Sequence, residues 1–135
     1  MGLKLDQQSI QCLTLFSRIA NVRTKECFDY NNTKVFIVKR ELLSKAVGEK
    51  GRNVKRLSNL LRTKVRIIPD SELADFIKDV IQPVKFKKIL IENNMITIFA
   101  GQQAKASLIG RNKVRLEELA NILKRQYGVK SLRIV

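Results

Sequence analysis

The sequence predicts an α+β fold made of two copies of one small unit. Three observations carry this reading. The chain runs helix, strand, strand, helix, turn, helix, strand, and then repeats that order. A shift of 62 positions lays Val47-Gly48 on Ile109-Gly110, Val54 on Leu116, Leu57 on Leu119, Leu60 on Ile122 and Leu61 on Leu123. The Gly-x-x-Gly turn Gly48-Glu49-Lys50-Gly51 has an imperfect copy at Gly110-Arg111-Asn112-Lys113. Self-similarity at this period marks an internal duplication.

The elements follow from pattern. Over 6–21, Ile10, Leu13, Phe16, Ile19 and Ala20 recur at helical spacing behind Asp6 as N-cap. Segments 24–30 and 34–39 read as strands around the turn Asn31-Asn32, the second a β-branched run from Val35 to Val38. Glu41–Val47 reads as a helix, as does 52–62, where Val54, Leu57 and Leu61 form an apolar stripe. Val65–Ile68 is a strand closed by Pro69-Asp70. The second copy starts with a helix over 71–81, capped by Ser71 and ended by Pro83. Strands at 85–92 and 95–100 flank Asn93-Asn94, helices at 102–109 and 114–127 flank the second turn, and 129–135 is the last strand. The boundaries are thus 1–69 and 70–135. Each copy has about 65 residues, near the lower size limit for independent folding, so the two are expected to pack on each other.

Composition narrows the partner. The 135 residues hold 27 Lys plus Arg against 12 Asp plus Glu, a formal charge of +15. That excess favours a polyanion. No apolar run reaches the ~18 residues of a membrane span, and the N-terminal residues Met1 to Asp6 lack a signal-peptide core. A cytoplasmic protein is expected. Cys12 and Cys27 are widely spaced and read as small buried hydrophobes, with a disulfide as the alternative. There is no histidine, which removes the commonest general base and metal ligand. No metal, cofactor or small-molecule substrate is expected. The eight aromatic side chains fall mostly on core positions, which argues against stacking platforms.

The first turn carries the chemistry. Glycine lets another backbone approach closely, and the helix that follows offers unpaired N–H groups. A phosphate there would meet those donors together with Lys50 and Arg52. Arg52, Lys55, Arg56 and Asn59 share one face of the helix, while Val47 and Val54 border a shallow apolar floor. Gly48 and Gly51 could equally form an ordinary helix C-cap, and the basic flank and the repeat favour the nucleic-acid reading.

The run Val47-Gly48-Glu49-Lys50-Gly51-Arg52-Asn53-Val54, set between two helices, resembles the core motif of the KH domain, which clamps nucleotides with its GxxG loop. The element order is similar to the type II form. The tandem resembles the archaeal NusA-like family of transcription termination and antitermination factors. That resemblance implies two type II KH domains, each a three-stranded mixed sheet covered by helices. It implies non-catalytic binding of single-stranded RNA, with RNA polymerase or other transcription factors as further partners. The polymerase-binding domain and oligonucleotide-binding barrel of bacterial NusA are not expected in a chain of this length. The binding residues it implies are Val47 to Arg56 in the first copy and Gly110, Arg111, Asn112, Lys113 and Arg115 in the second.

The second copy departs from the motif. Lys113 replaces the second glycine, so a differently shaped turn is expected there. Lys55-Arg56 becomes Glu117-Glu118, two acids beside the phosphate path. Residues 1–69 hold 15 basic and 5 acidic side chains (+10), and 70–135 hold 12 and 7 (+5). The first copy is therefore expected to contribute more affinity. Lys85, Lys87 and Lys88 read either as a further phosphate contact or as the lysines of a protected edge strand. Two other functions remain open. One, implied by the resemblance because type II KH units also occur there, is a ribosome-associated or ribosome-assembly RNA-binding protein using the same surface. The other is a metal-dependent nuclease built on Asp70, Glu72, Asp75 and Asp79, although acids near a helix start more often complement its dipole.

Overall fold

The computed structural model describes residues 7–135. They fall into two compact units that divide between Ser71 and Glu72. The first contains α1 (Gln7–Ala20), β1 (Glu26–Tyr30), β2 (Thr33–Val38), α2 (Leu43–Val47), α3 (Arg52–Leu61) and β3 (Lys64–Pro69). The second contains α4 (Leu73–Ile81), β4 (Lys88–Glu92), β5 (Met95–Phe99), α5 (Gln102–Ile109), α6 (Val114–Tyr127) and β6 (Ser131–Ile134).

Each unit has one mixed sheet, ordered β1-β2-β3 and β4-β5-β6. The first two strands pair antiparallel through a two-residue turn, and the last two pair parallel. Both turns are Asn-Asn with positive φ at each residue: 51° and 58° at Asn31-Asn32, 50° and 62° at Asn93-Asn94. Asparagine tolerates this left-handed backbone, which matches the twist of a tight hairpin. A parallel pair needs a long crossover. In the first unit α2, the glycine turn and α3 supply it, so the turn stands midway between two adjacent strands. In the second, α5, the turn and α6 do the same.

In the first unit, the core gathers Cys12, Phe16 and Ala20 from α1, Cys27, Phe36, Val38 and Val65 from the sheet, and Ala46 and Leu57 from α2 and α3. Phe16 stacks on Phe36 with ring centroids 4.5 Å apart. Both cysteines are free, buried thiols. In the second unit Ile96, Ile98, Leu108, Leu119 and Leu123 are buried, and Phe76 of α4 meets Tyr127 of α6 at 5.1 Å. The buried face of each long helix thus holds it on its own sheet.

Several boundaries differ from the sequence pattern. Asp6, the expected cap of α1, lies outside the described residues. α4 starts at Leu73 with Glu72 in the cap position, so Ser71 is not the cap. Residues 40–42 form a 3-10 turn ahead of the shorter α2. β4 starts at Lys88, which leaves Lys85 in the connection after α4. Lys87 joins the sheet only through its N–H, which donates to the Phe99 carbonyl at 2.7 Å.

Candidate nucleic-acid interface

The first turn is fixed by its backbone. Gly48 sits at φ 80°, ψ 162°, a region essentially closed to residues with a Cβ. Lys50 (55°, 28°) and Gly51 (71°, 21°) follow in the left-handed region. The Gly48 N–H donates to Ser44 O at 3.0 Å, and Gly51 N–H to Gly48 O at 3.0 Å. The Arg52 N–H donates to Glu49 O. Glu49 and Lys50 stand at the start of this tight turn, where N–H groups have no partner within the turn itself. They are the backbone donors the loop can aim at an anion.

Asn53 is the brace. Its Nδ2 donates to the carbonyls of Ala46 (3.1 Å) and Lys45 (3.3 Å), tying the start of α3 to the end of α2. A Cβ on Gly48 would meet Asn53 Cγ and Nδ2 at 3.0 Å. A Cβ on Gly51 would meet nothing within 4 Å. The two glycines are therefore not equivalent. The first is demanded by both dihedral and space, the second by dihedral alone.

From the turn a groove runs between α3 and β3. Near the turn, Glu49, Lys50, Arg52 and Lys55 line a depression of about 370 Å³. Beyond it, Thr33, Val54, Lys55, Ser58, Asn59, Lys64, Val65 and Arg66 line a cleft of about 570 Å³. Lys55 belongs to both. Val54 and buried Val65 give the cleft an apolar floor, while Lys55, Lys64 and Arg66 supply three cations. The expected residues thus separate. Glu49, Lys50, Arg52, Val54 and Lys55 line the groove; Gly48 and Gly51 shape the turn, with half-buried Val47 beside it; Asn53 points at backbone carbonyls. Arg56 is exposed on α3, outside the lining residues. Sequence pattern alone misses Thr33, Ser58, Lys64 and Arg66. The signal for Lys64 and Arg66 is the parallel register, which sets Thr33 beside Lys64 and Val35 beside Arg66.

The second turn has the same shape, contrary to the expectation from Lys113. Gly110 lies at (75°, 173°), Asn112 at (55°, 29°) and Lys113 at (63°, 18°). Lys113 accepts the left-handed backbone of Gly51, at a cost of about 1–2 kcal/mol. A Cβ on Gly110 would meet Arg115 Cβ at 2.8 Å, so here too the first glycine is required. The surrounding chemistry differs. Arg115 takes the place of Asn53, and its Nη1 meets Glu118 Oε1 at 2.6 Å, with both side chains mostly buried. Its charge is thus engaged by an acid rather than presented to a ligand. Arg111, Asn112 and Lys113 are exposed. The counterparts of the three groove cations Lys55, Lys64 and Arg66 are Glu117, Ser131 and Arg133, one cation and one anion.

The acids at the second unit's entrance form no centre. Asp70 pairs with Lys25 at 2.7 Å, and among the described residues no three His, Cys, Asp or Glu side chains gather to hold a metal. Burial lifts the Cys27 thiol to about 11. Lys34 is also raised: burial alone would lower it, but the hydrogen bond and charge of Asp29, 2.8 Å away, outweigh that. Among the described residues no helix is long and apolar enough to cross a membrane.

No protein-family profile matches the chain. It is 24% identical over 140 residues to the "Probable transcription termination protein NusA" of Methanococcus vannielii, an alignment spanning 100% of this chain and 81% of that protein. It is similar in structure to the crystal structure of APE1850, with a TM-score of 0.67 and 21% identity over 97% of this chain and 100% of that one. At that identity the likeness is one of fold alone.

Proposed function

We propose that this protein is a non-catalytic factor that binds single-stranded RNA during transcription elongation, termination or antitermination. In this reading the units at 1–69 and 70–135 are type II KH domains, and the first provides the main grip. The observation that carries it is the pair of cavities that share Lys55, one at Glu49 and Lys50 and the other reaching Lys64 and Arg66, apolar at Val54 and Val65 and cationic at Lys50, Arg52, Lys55, Lys64 and Arg66. A strand laid there would set phosphates on the loop donors, Arg52 and Lys55, and bases over Val54 and Val65. Sequence-specific RNA-binding modules take unpaired bases, which they read by their edges. The likeness to a protein named for transcription termination favours that process over ribosome assembly. RNA polymerase or another transcription factor would be the protein partner, in the cytoplasm.

Binding of single-stranded RNA, followed by fluorescence anisotropy across a salt series, tests the groove. Affinity is expected to fall linearly in log–log form, with Lys64→Gln reducing the slope by about 0.7. A slope unchanged by Lys64→Gln would remove that residue from the path. Crosslinking in cells tests the process: nascent transcripts near gene ends are expected, and ribosomal precursors would favour the ribosomal reading.

A further inference from the structure

A cavity of the second unit lies away from its glycine turn, where α4 runs into β4. Its volume is about 670 Å³, within the range of small-ligand sites. Lys78, Gln82, Pro83, Val84, Lys85 and Phe86 line it. The backbone shapes it locally: α4 stops at Ile81, and the Val84 N–H donates back to Ile81 O at 2.9 Å. That turn brings Lys85 and Phe86 round to the last turn of the helix, where Lys78 projects.

We propose that this cavity binds a nucleotide, with the base against Phe86 and Pro83 and the phosphate between the Lys78 and Lys85 ammonium groups. Among the described residues the lining contains one aromatic ring, two cations and a side-chain amide, and no acid. A ligand that satisfies it must pair a planar, weakly polar body with an anionic group. Phe86 is half-buried, unlike Phe16, Phe36 and Phe76, whose rings are enclosed in the cores. Stacking on such a ring tolerates any base, since every base has a π-face. The Gln82 amide can both donate to and accept from a base edge. The ligand is either a free nucleotide or one unit of a longer strand, and both present the same chemistry. The site does not depend on the groove of the first unit, so either can fail alone.

The chain contains no tryptophan, so Phe86→Trp places a single indole in the cavity. Its fluorescence would be titrated with nucleoside monophosphates and with a short single-stranded RNA. Saturable quenching is expected. Lys78→Gln together with Lys85→Gln in that background should weaken it about a hundredfold, at roughly tenfold for each charged hydrogen bond lost. Lys55→Glu with Arg56→Glu, which carries the second unit's own acids onto α3, should leave quenching at saturation intact. Quenching by monophosphates identifies a free-nucleotide site, and quenching by the oligonucleotide alone identifies a strand site. No quenching by either, quenching indifferent to both lysines, or quenching abolished by the groove variant would overturn the proposal. If the indole perturbs folding, amide shifts of Lys85 and Phe86 in the unmodified protein measure the same binding.

Discussion

The two turns share a backbone and differ in chemistry. Gly48 and Gly110 lie within about 15° of each other in both dihedrals, and Lys113 repeats the left-handed geometry of Gly51. Around them, three groove cations in the first unit become one cation and one anion in the second. The loop conformation is therefore a property of the fold, held by the first glycine and the flanking helices. The charge lining the groove is a separate property, set by side chains at three or four positions on α3, β3 and their counterparts.

Transplanting charge tests that separation most severely. Lys55→Glu with Lys64→Ser gives the first groove the second's residues, and RNA affinity should fall about a hundredfold, at roughly tenfold per charged contact. The fold should be unaffected, as circular dichroism would confirm. If affinity hardly changes, the grip lies elsewhere. Next in size is the contrast between the glycines. Gly48→Ala should cost roughly 2–4 kcal/mol, because strain adds to the contact with Asn53. Gly51→Lys, which copies Lys113, should cost only about 1–2 kcal/mol. Chemical denaturation measures both, and equal costs would erase the distinction. Asn53→Ala should lose about 1 kcal/mol through the brace to Ala46 and Lys45, with RNA affinity falling alongside as the loop loosens. The smallest effect is chemical: burial holds the Cys27 thiol near 11, so alkylation of the native protein at pH 8 should be slow. A raised folded value also means that this thiol's contribution to stability is present below its ordinary 9.0 and is lost as pH climbs towards 11. Rapid labelling at pH 8, read by mass spectrometry, would show that the core opens.

Much of this architecture is legible in the sequence because it rests on local rules. The helical stripe of Val54, Leu57 and Leu61 reads directly, and so do the paired asparagines at each hairpin and the repeat of 62 positions. The features that do not read this way depend on relations across distance. Lys64 and Arg66 enter the groove only because β3 pairs parallel to β2 in one register. The shape of the second turn is hidden because the flanking helices override the reluctance of a lysine to be left-handed. Lys85 reads as a strand residue from its lysine-rich neighbourhood, whereas it falls in the connection beside Phe86. Arg115 reads as a free cation in sequence and is an ion-paired one in structure.

The Arg115–Glu118 pair also bears on how the two copies came to differ. Positions 53 and 56 hold Asn and Arg in the first unit, while their counterparts 115 and 118 hold Arg and Glu. Neither combination converts to the other by safe single steps. Glu118→Arg alone would set two guanidinium groups against each other where a 2.6 Å ion pair now stands. Arg115→Asn alone would strip a mostly buried carboxylate of that partner. Such coupled sites are strongly non-additive. Either route between the two pairs passes through a less stable intermediate, and that ratchet would hold the duplicates apart at these positions.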